Sequence, residues 1–95
     1  MRHATDDDLD SLEALLRELR QLPELRERKR GSFSRGAHAF LHFHEDAGDF
    51  YVDAKLTSKF QRLKVTTRDE QQDFLARVKQ AVRSESPDDR VAMDE

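Results

Sequence analysis

Apolar and polar residues alternate through the middle of the chain. From His38 to His44, Ala39, Leu41 and Phe43 share one side of an extended strand, and His38, Phe40, His42 and His44 share the other. A second run alternates the same way, with Phe50, Val52, Ala54 and Leu56 against Tyr51, Asp53 and Lys55. Between them, Glu45-Asp46-Ala47-Gly48 predicts a four-residue hairpin loop ending on a glycine that takes positive φ without strain. That loop length sets Phe43 opposite Phe50, Leu41 opposite Val52, His42 opposite Tyr51 and His44 opposite Asp49.

The flanking segments follow a helical period instead. Leu9, Leu12, Leu16 and Leu19, joined by Leu15 and Leu22, recur every three or four residues and make one apolar stripe. Thr5 with Asp8 supplies the start signal, and Pro23 predicts a stop near Gln21. Near the other end, Thr67 and Glu70 form a capping box, and Phe74, Leu75, Val78, Ala81 and Val82 make the stripe of a helix that ends near Arg83. The charged stretch Glu27–Phe33 reads as an edge strand, because charges on an edge discourage pairing with other chains. Ser34-Arg35-Gly36 and Thr57-Ser58-Lys59 read as turns, and Phe60–Thr66 as the last strand.

These elements predict an α+β fold of two layers. A three- to four-stranded antiparallel meander has an N-terminal and a C-terminal helix on its dry face. The domain spans residues 5–83, with loose ends at 1–4 and 84–95, the latter acidic. Leu12, Leu16, Leu19, Leu41, Val52, Leu63, Leu75 and Val78 are the expected core.

Composition narrows the function classes. With 95 residues there is room for one core, and 39% charged against 36% hydrophobic residues suit a thin domain, not a deep-pocketed enzyme. The absence of cysteine excludes disulfides, thiol catalysis and thiolate metal ligands. No apolar run has the length of a membrane span, and Met1–Asp8 lacks the apolar core of a secretory signal, so a cytoplasmic protein without a membrane partner is expected. The net charge of -3 conceals a basic body between two acidic ends.

Two candidate sites lie on the polar sheet face. His42-x-His44 sets two imidazoles side by side, and Asp49 or Asp53 adds an oxygen ligand from the neighbouring strand. His42, His44 and Asp49 make the preferred set, of a kind that suits zinc, iron or nickel. Set against this is a plainer reading, histidines solvated on a sheet face with His44 hydrogen-bonded to Asp49. The second candidate interleaves aromatics and cations: Phe40, His42, Tyr51, Lys55, Arg62 and Lys64 would stack bases and hold phosphates, or contact an acidic protein segment. Its plainer counterpart is an ordinary wet sheet face. The chain has neither a nucleophile elbow nor a Gly-rich phosphate loop. A non-catalytic binding module with no cofactor is therefore the leading expectation. A metal-binding or acid–base enzyme centred on His42 and His44 is the alternative, with zinc as the cofactor to test. An exposed edge or the aromatic face leaves both monomer and homodimer open.

Three resemblances bear on these expectations. Arg35-Gly36 followed by His38–Phe43 resembles the octamer of the RNA-recognition motif, which would imply base stacking. It departs from that pattern by the insertion of Ala37, by His38 in an aromatic position, and by a helix that starts where that fold has a strand. The order helix, three strands, helix is similar in outline to double-stranded-RNA-binding domains. There, however, Asp69, Glu70 and Asp73 would repel phosphate at the start of the last helix. Finally, Glu27–Gly36 followed by Ala39–His44 resembles small conserved hypothetical proteins of GC-rich bacteria. That likeness implies a free-standing bacterial cytoplasmic domain and no particular activity.

Overall fold

Thr5 starts the first helix by a reciprocal cap. Its Oγ1 accepts from the Asp8 N–H at 3.3 Å, and Asp8 Oδ2 accepts from the Thr5 N–H at 2.9 Å. In the computed structural model, which describes residues 1–84, the single predicted helix is two. These are α1 (Asp6–Ser11) and α2 (Glu13–Arg20). Leu12 interrupts them at φ -101°, and its N–H turns to the nearer carbonyls of Leu9, at 3.0 Å, and Asp10. The break does not disturb the stripe, since Leu9, Leu12, Leu15, Leu16 and Leu19 are all buried.

The sheet is an antiparallel meander of β2 (Arg26–Lys29), β3 (Ser32–Arg35), β4 (His38–Asp46), β5 (Asp49–Ala54) and β6 (Gln61–Lys64), hydrogen-bonded in that order. A two-residue strand, β1 (Arg2–His3), also pairs with β4, setting Arg2 opposite Glu45 and His3 opposite His44. Since β3 pairs with the first half of β4 and β5 takes its other side, β1 and β3 lie end to end along one edge of β4. The closing helix α3 (Arg68–Ser84) starts on the predicted box, with Glu70 Oε1 accepting from the Thr67 N–H at 2.9 Å. One apolar core joins α1, α2 and α3 to the sheet, with Phe33, Leu41, Val52, Val65, Phe74 and Val78 almost fully enclosed. The α+β class read from the sequence is the observed one. Among the described residues, no helix is long and apolar enough to cross a membrane.

Other expectations also require correction. The first concerns Glu27–Phe33, which is not one strand but a hairpin folding back at Arg30-Gly31. Gly31 turns at φ +80°, its N–H donates to Glu27 Oε2 at 3.0 Å, and only β2 remains as the charged edge.

The second concerns register. The central loop has two residues, Ala47 at φ 54° and Gly48 at φ 87°, consecutive positive angles of the kind that match the twist of paired strands. The strands therefore pair up to Asp46 and Asp49, placing Phe43 opposite Val52, Leu41 opposite Ala54, His44 opposite Tyr51 and His42 opposite Asp53. A shift of two residues leaves each side chain on its expected face and changes only its partner.

The third concerns Phe40. Phe33 pairs with Leu41 while Ser34 pairs with Ala39, so Phe40 is an extra, bulged residue. It turns inward, 4% exposed, and Ala39 turns out in its place. Phe40 therefore does not belong to the wet face.

The fourth concerns the ends. Residues 2–3, expected in a loose segment, are strand β1, tied by Arg2 to Asp8 at 3.2 Å and to Glu45 at 3.0 Å. The Ala4 N–H continues the pairing by donating to the Phe43 carbonyl at 3.1 Å. Residues 85–95, most of the expected acidic end, lie outside the described residues. Of the expected core, Leu63 is only half-buried, while Val65 two residues later is fully enclosed.

Candidate metal centre

Strand parity carries His42 and His44 to the face of β4 opposite the helices, and the β5 register brings Asp53 across from His42. His42 is half-buried, whereas His44, with β1 on one side and β5 on the other, is 8% exposed. Asp53 Oδ2 stands 3.0 Å from His44 Nε2 and 3.6 Å from His42 Nε2. One donor atom from each of the three residues lies within 4.8 Å of the other two.

The contact between Asp53 and His44 is close but not aligned as a hydrogen bond. Both ring nitrogens of His44 are buried, and neither has a hydrogen-bond partner. A neutral imidazole carries one donor and one acceptor, and a buried polar group left unpaired costs about 1–3 kcal/mol. His44 is thus a buried ligand-type side chain without a structural hydrogen bond to explain its place.

The donors are held in the protonation states in which they ligate, an ionised carboxylate and a neutral imidazole. Arg62 clasps the carboxylate of Asp53, Nε donating to Oδ1 at 2.7 Å and Nη2 to Oδ2 at 2.8 Å. That clasp holds the Asp53 pKa below the usual carboxylate value, against a smaller opposing effect of burial. Each carboxylate oxygen has two acceptor sites, so Oδ2 keeps one after serving Arg62. Burial lowers the His42 pKa, helped by the neighbouring His44 and partly offset by Asp53. His42 is then neutral at pH 7, the form in which an imidazole ligates a metal.

The donors converge to within 4.8 Å, and a small tetrahedral ion would need them to close further. With metal–nitrogen and metal–oxygen bonds of about 2.0–2.2 Å, neighbouring donors of a tetrahedron stand about 3.3–3.6 Å apart. Of the two observed nitrogen–oxygen separations, 3.6 Å lies at the upper end of that range and 3.0 Å falls below it. Two imidazoles and a carboxylate are a borderline set suited to zinc and its neighbours.

Other sequence-derived candidates fall elsewhere. Asp49, expected beside His44, sits at the turn end of the hairpin opposite Asp46, where Thr66 Oγ1 donates to its Oδ1 at 3.1 Å and Lys64 Nζ lies 3.6 Å away. The two-residue loop put Asp53 in its place. Tyr51 pairs with both His44 and Lys64 in the sheet register and is half-buried. Phe40 and Lys55 line a separate cleft with Arg35, His38 and Leu56 at the far end of β4. The six residues of the expected aromatic and basic face therefore do not form one surface. Two residues absent from that reading stand close to the cluster. His3 has its ring 4.8 Å from that of His44 and 5.8 Å from that of His42, and exposed Phe60 has its ring 6.0 Å from that of His42. No family model, no curated protein and no solved structure matches this chain, so its function has to be argued from these residues.

Proposed function

We propose that the protein is a small non-catalytic binding module whose ligand is a divalent transition-metal ion, zinc by the nature of its donors, held by His42, His44 and Asp53. The observation that carries this reading is His44, buried with both ring nitrogens unpaired and 3.0 Å from a carboxylate oxygen. An ion among the three donors would engage one of those two nitrogens, Nε2, which faces Asp53. The nucleic-acid reading has less support, because Phe40 belongs to the core and Arg62 is already clasped to Asp53. A bacterial cytoplasmic setting, as monomer or homodimer, belongs to the same proposal.

Zinc titration by calorimetry at pH 7.5, paired with imidazole nitrogen shifts, tests this reading. The expected result is one equivalent bound by the wild type, with the His42 and His44 resonances displaced, and no binding by the His42→Ala, His44→Ala double variant. A wild type that neither takes up zinc nor shifts its imidazoles would overturn it.

A further inference from the structure

We infer that His3 is the fourth ligand of this centre, so that strand β1 closes the site and a bound ion clasps the N-terminal strand to β4; the inference rests on the metal reading above. Three imidazole rings meet on this face. Their centroids are separated by 4.8 Å for His42 and His44, 4.8 Å for His3 and His44, and 5.8 Å for His3 and His42. Around one tetrahedral ion, a metal–nitrogen bond of about 2.0–2.1 Å plus about 1.1 Å to the ring centre separates neighbouring centroids by about 5.2 Å. The three observed separations lie on both sides of that value. The converging donors of the metal-free protein are those of His42, His44 and Asp53, and a turn of the adjacent His3 ring toward them would make a set of three nitrogens and one oxygen.

The backbone has already placed His3. It pairs with His44 itself in the β1–β4 register, and β1 is held on both flanks, by Arg2 to Asp8 and Glu45 and by the Ala4 N–H to the Phe43 carbonyl. Its side chain is exposed. A site filled by four protein ligands leaves no open position for water or substrate, which is the arrangement of structural rather than catalytic zinc. The closed set thus accounts for a binding module without chemistry of its own. It also makes the attachment of residues 2–4 depend on the ion.

The test compares zinc binding to the wild type, His3→Ala and His44→Ala at pH 7.5, with amide exchange at Ala4 as a second readout. Losing even a hydrogen-bond partner of a ligand costs about 10–100-fold in metal affinity, so loss of a ligand should cost His3→Ala at least about tenfold. Zinc should also displace the His3 ring resonances and slow exchange at Ala4 in the wild type. A smaller loss in His3→Ala, or an unmoved His3 ring, would overturn the clasp and leave a three-ligand centre, provided His44→Ala still loses binding. Absence of zinc binding by the wild type itself would remove the centre and the clasp together.

Discussion

Asp53 is the register partner of His42, yet its Oδ2 stands nearer to His44, at 3.0 Å against 3.6 Å. Diagonal neighbours across an antiparallel pair come within reach of long side chains, and here the diagonal contact is the shorter one. One carboxylate is thereby shared between two imidazoles on one strand, with Arg62 holding it from β6.

That sharing makes Asp53→Asn the informative substitution at the centre. The amide preserves the shape of the side chain but removes the charge that an ion would neutralise, so zinc affinity should fall at least about tenfold. The apo protein should lose little, about 0–1 kcal/mol, because the Arg62 partner is half exposed and such pairs are weak. Calorimetric affinity and a urea titration of the same variant measure both effects. Unchanged affinity would place the ion elsewhere.

His44 should show a conflict between binding and stability. Replacing a buried, unpaired polar side chain by an apolar one of similar size removes a desolvation cost of about 1–3 kcal/mol. His44→Leu should therefore raise the urea midpoint of the apo protein, by about 1 kcal/mol in free energy, while ending zinc binding. A clear loss of apo stability would mean that the imidazole makes a favourable contact in the metal-free protein.

Much of this architecture is legible in the sequence, and the failures have physical causes. The period of two over Leu41–His44 places His42 and His44 on the face away from the helices. A register error of two residues cannot move them to the other side. The identity of their carboxylate partner depends on loop length instead, and Ala47 is not a residue that announces a tight turn with positive φ. Phe40 escaped because a bulge breaks the very alternation by which strands are read. The hairpin at Arg30-Gly31 is hidden in a run of charges, of which Arg30 is paired with Asp10 and Glu13 on the helical layer. His3 lies in a strand of two residues, too short to show any period.

The turn at Gly31 makes a further point testable. A Cβ added there would stand 2.7 Å from Leu9 Cδ2, on a backbone already at φ +80°. At Gly36, φ is +60° and a Cβ would meet nothing within 4 Å. Both glycine-to-alanine changes carry the left-handed penalty of about 1–2 kcal/mol, but only Gly31→Ala also displaces a core leucine. Gly31→Ala should therefore be the more destabilising by about 1 kcal/mol or more in urea denaturation. Equal effects would show that Leu9 yields without loss.

Acid should loosen the attachment of β2 to α2. Arg20 donates from Nε to Glu27 Oε1 at 2.6 Å and from Nη2 to Oε2 at 3.2 Å, and its Nη1 reaches Glu13 Oε2 at 2.8 Å. The Arg20 contact is the main cause of a Glu27 pKa lowered from its ordinary 4.5, and the Gly31 N–H adds to it. A carboxyl with a depressed folded pKa binds fewer protons in the native state than in the unfolded one. Its contribution is complete above 4.5 and is lost as pH falls through the lower folded value. Stability should therefore decline as pH drops below about 4.5, and Glu27→Gln, which cannot titrate, should make that decline shallower while lowering stability at neutral pH. Urea midpoints of the two proteins from pH 7 down to about pH 3 would show converging curves. Parallel curves would assign the acid sensitivity to other carboxylates, with Glu13 and Asp53 the first to substitute.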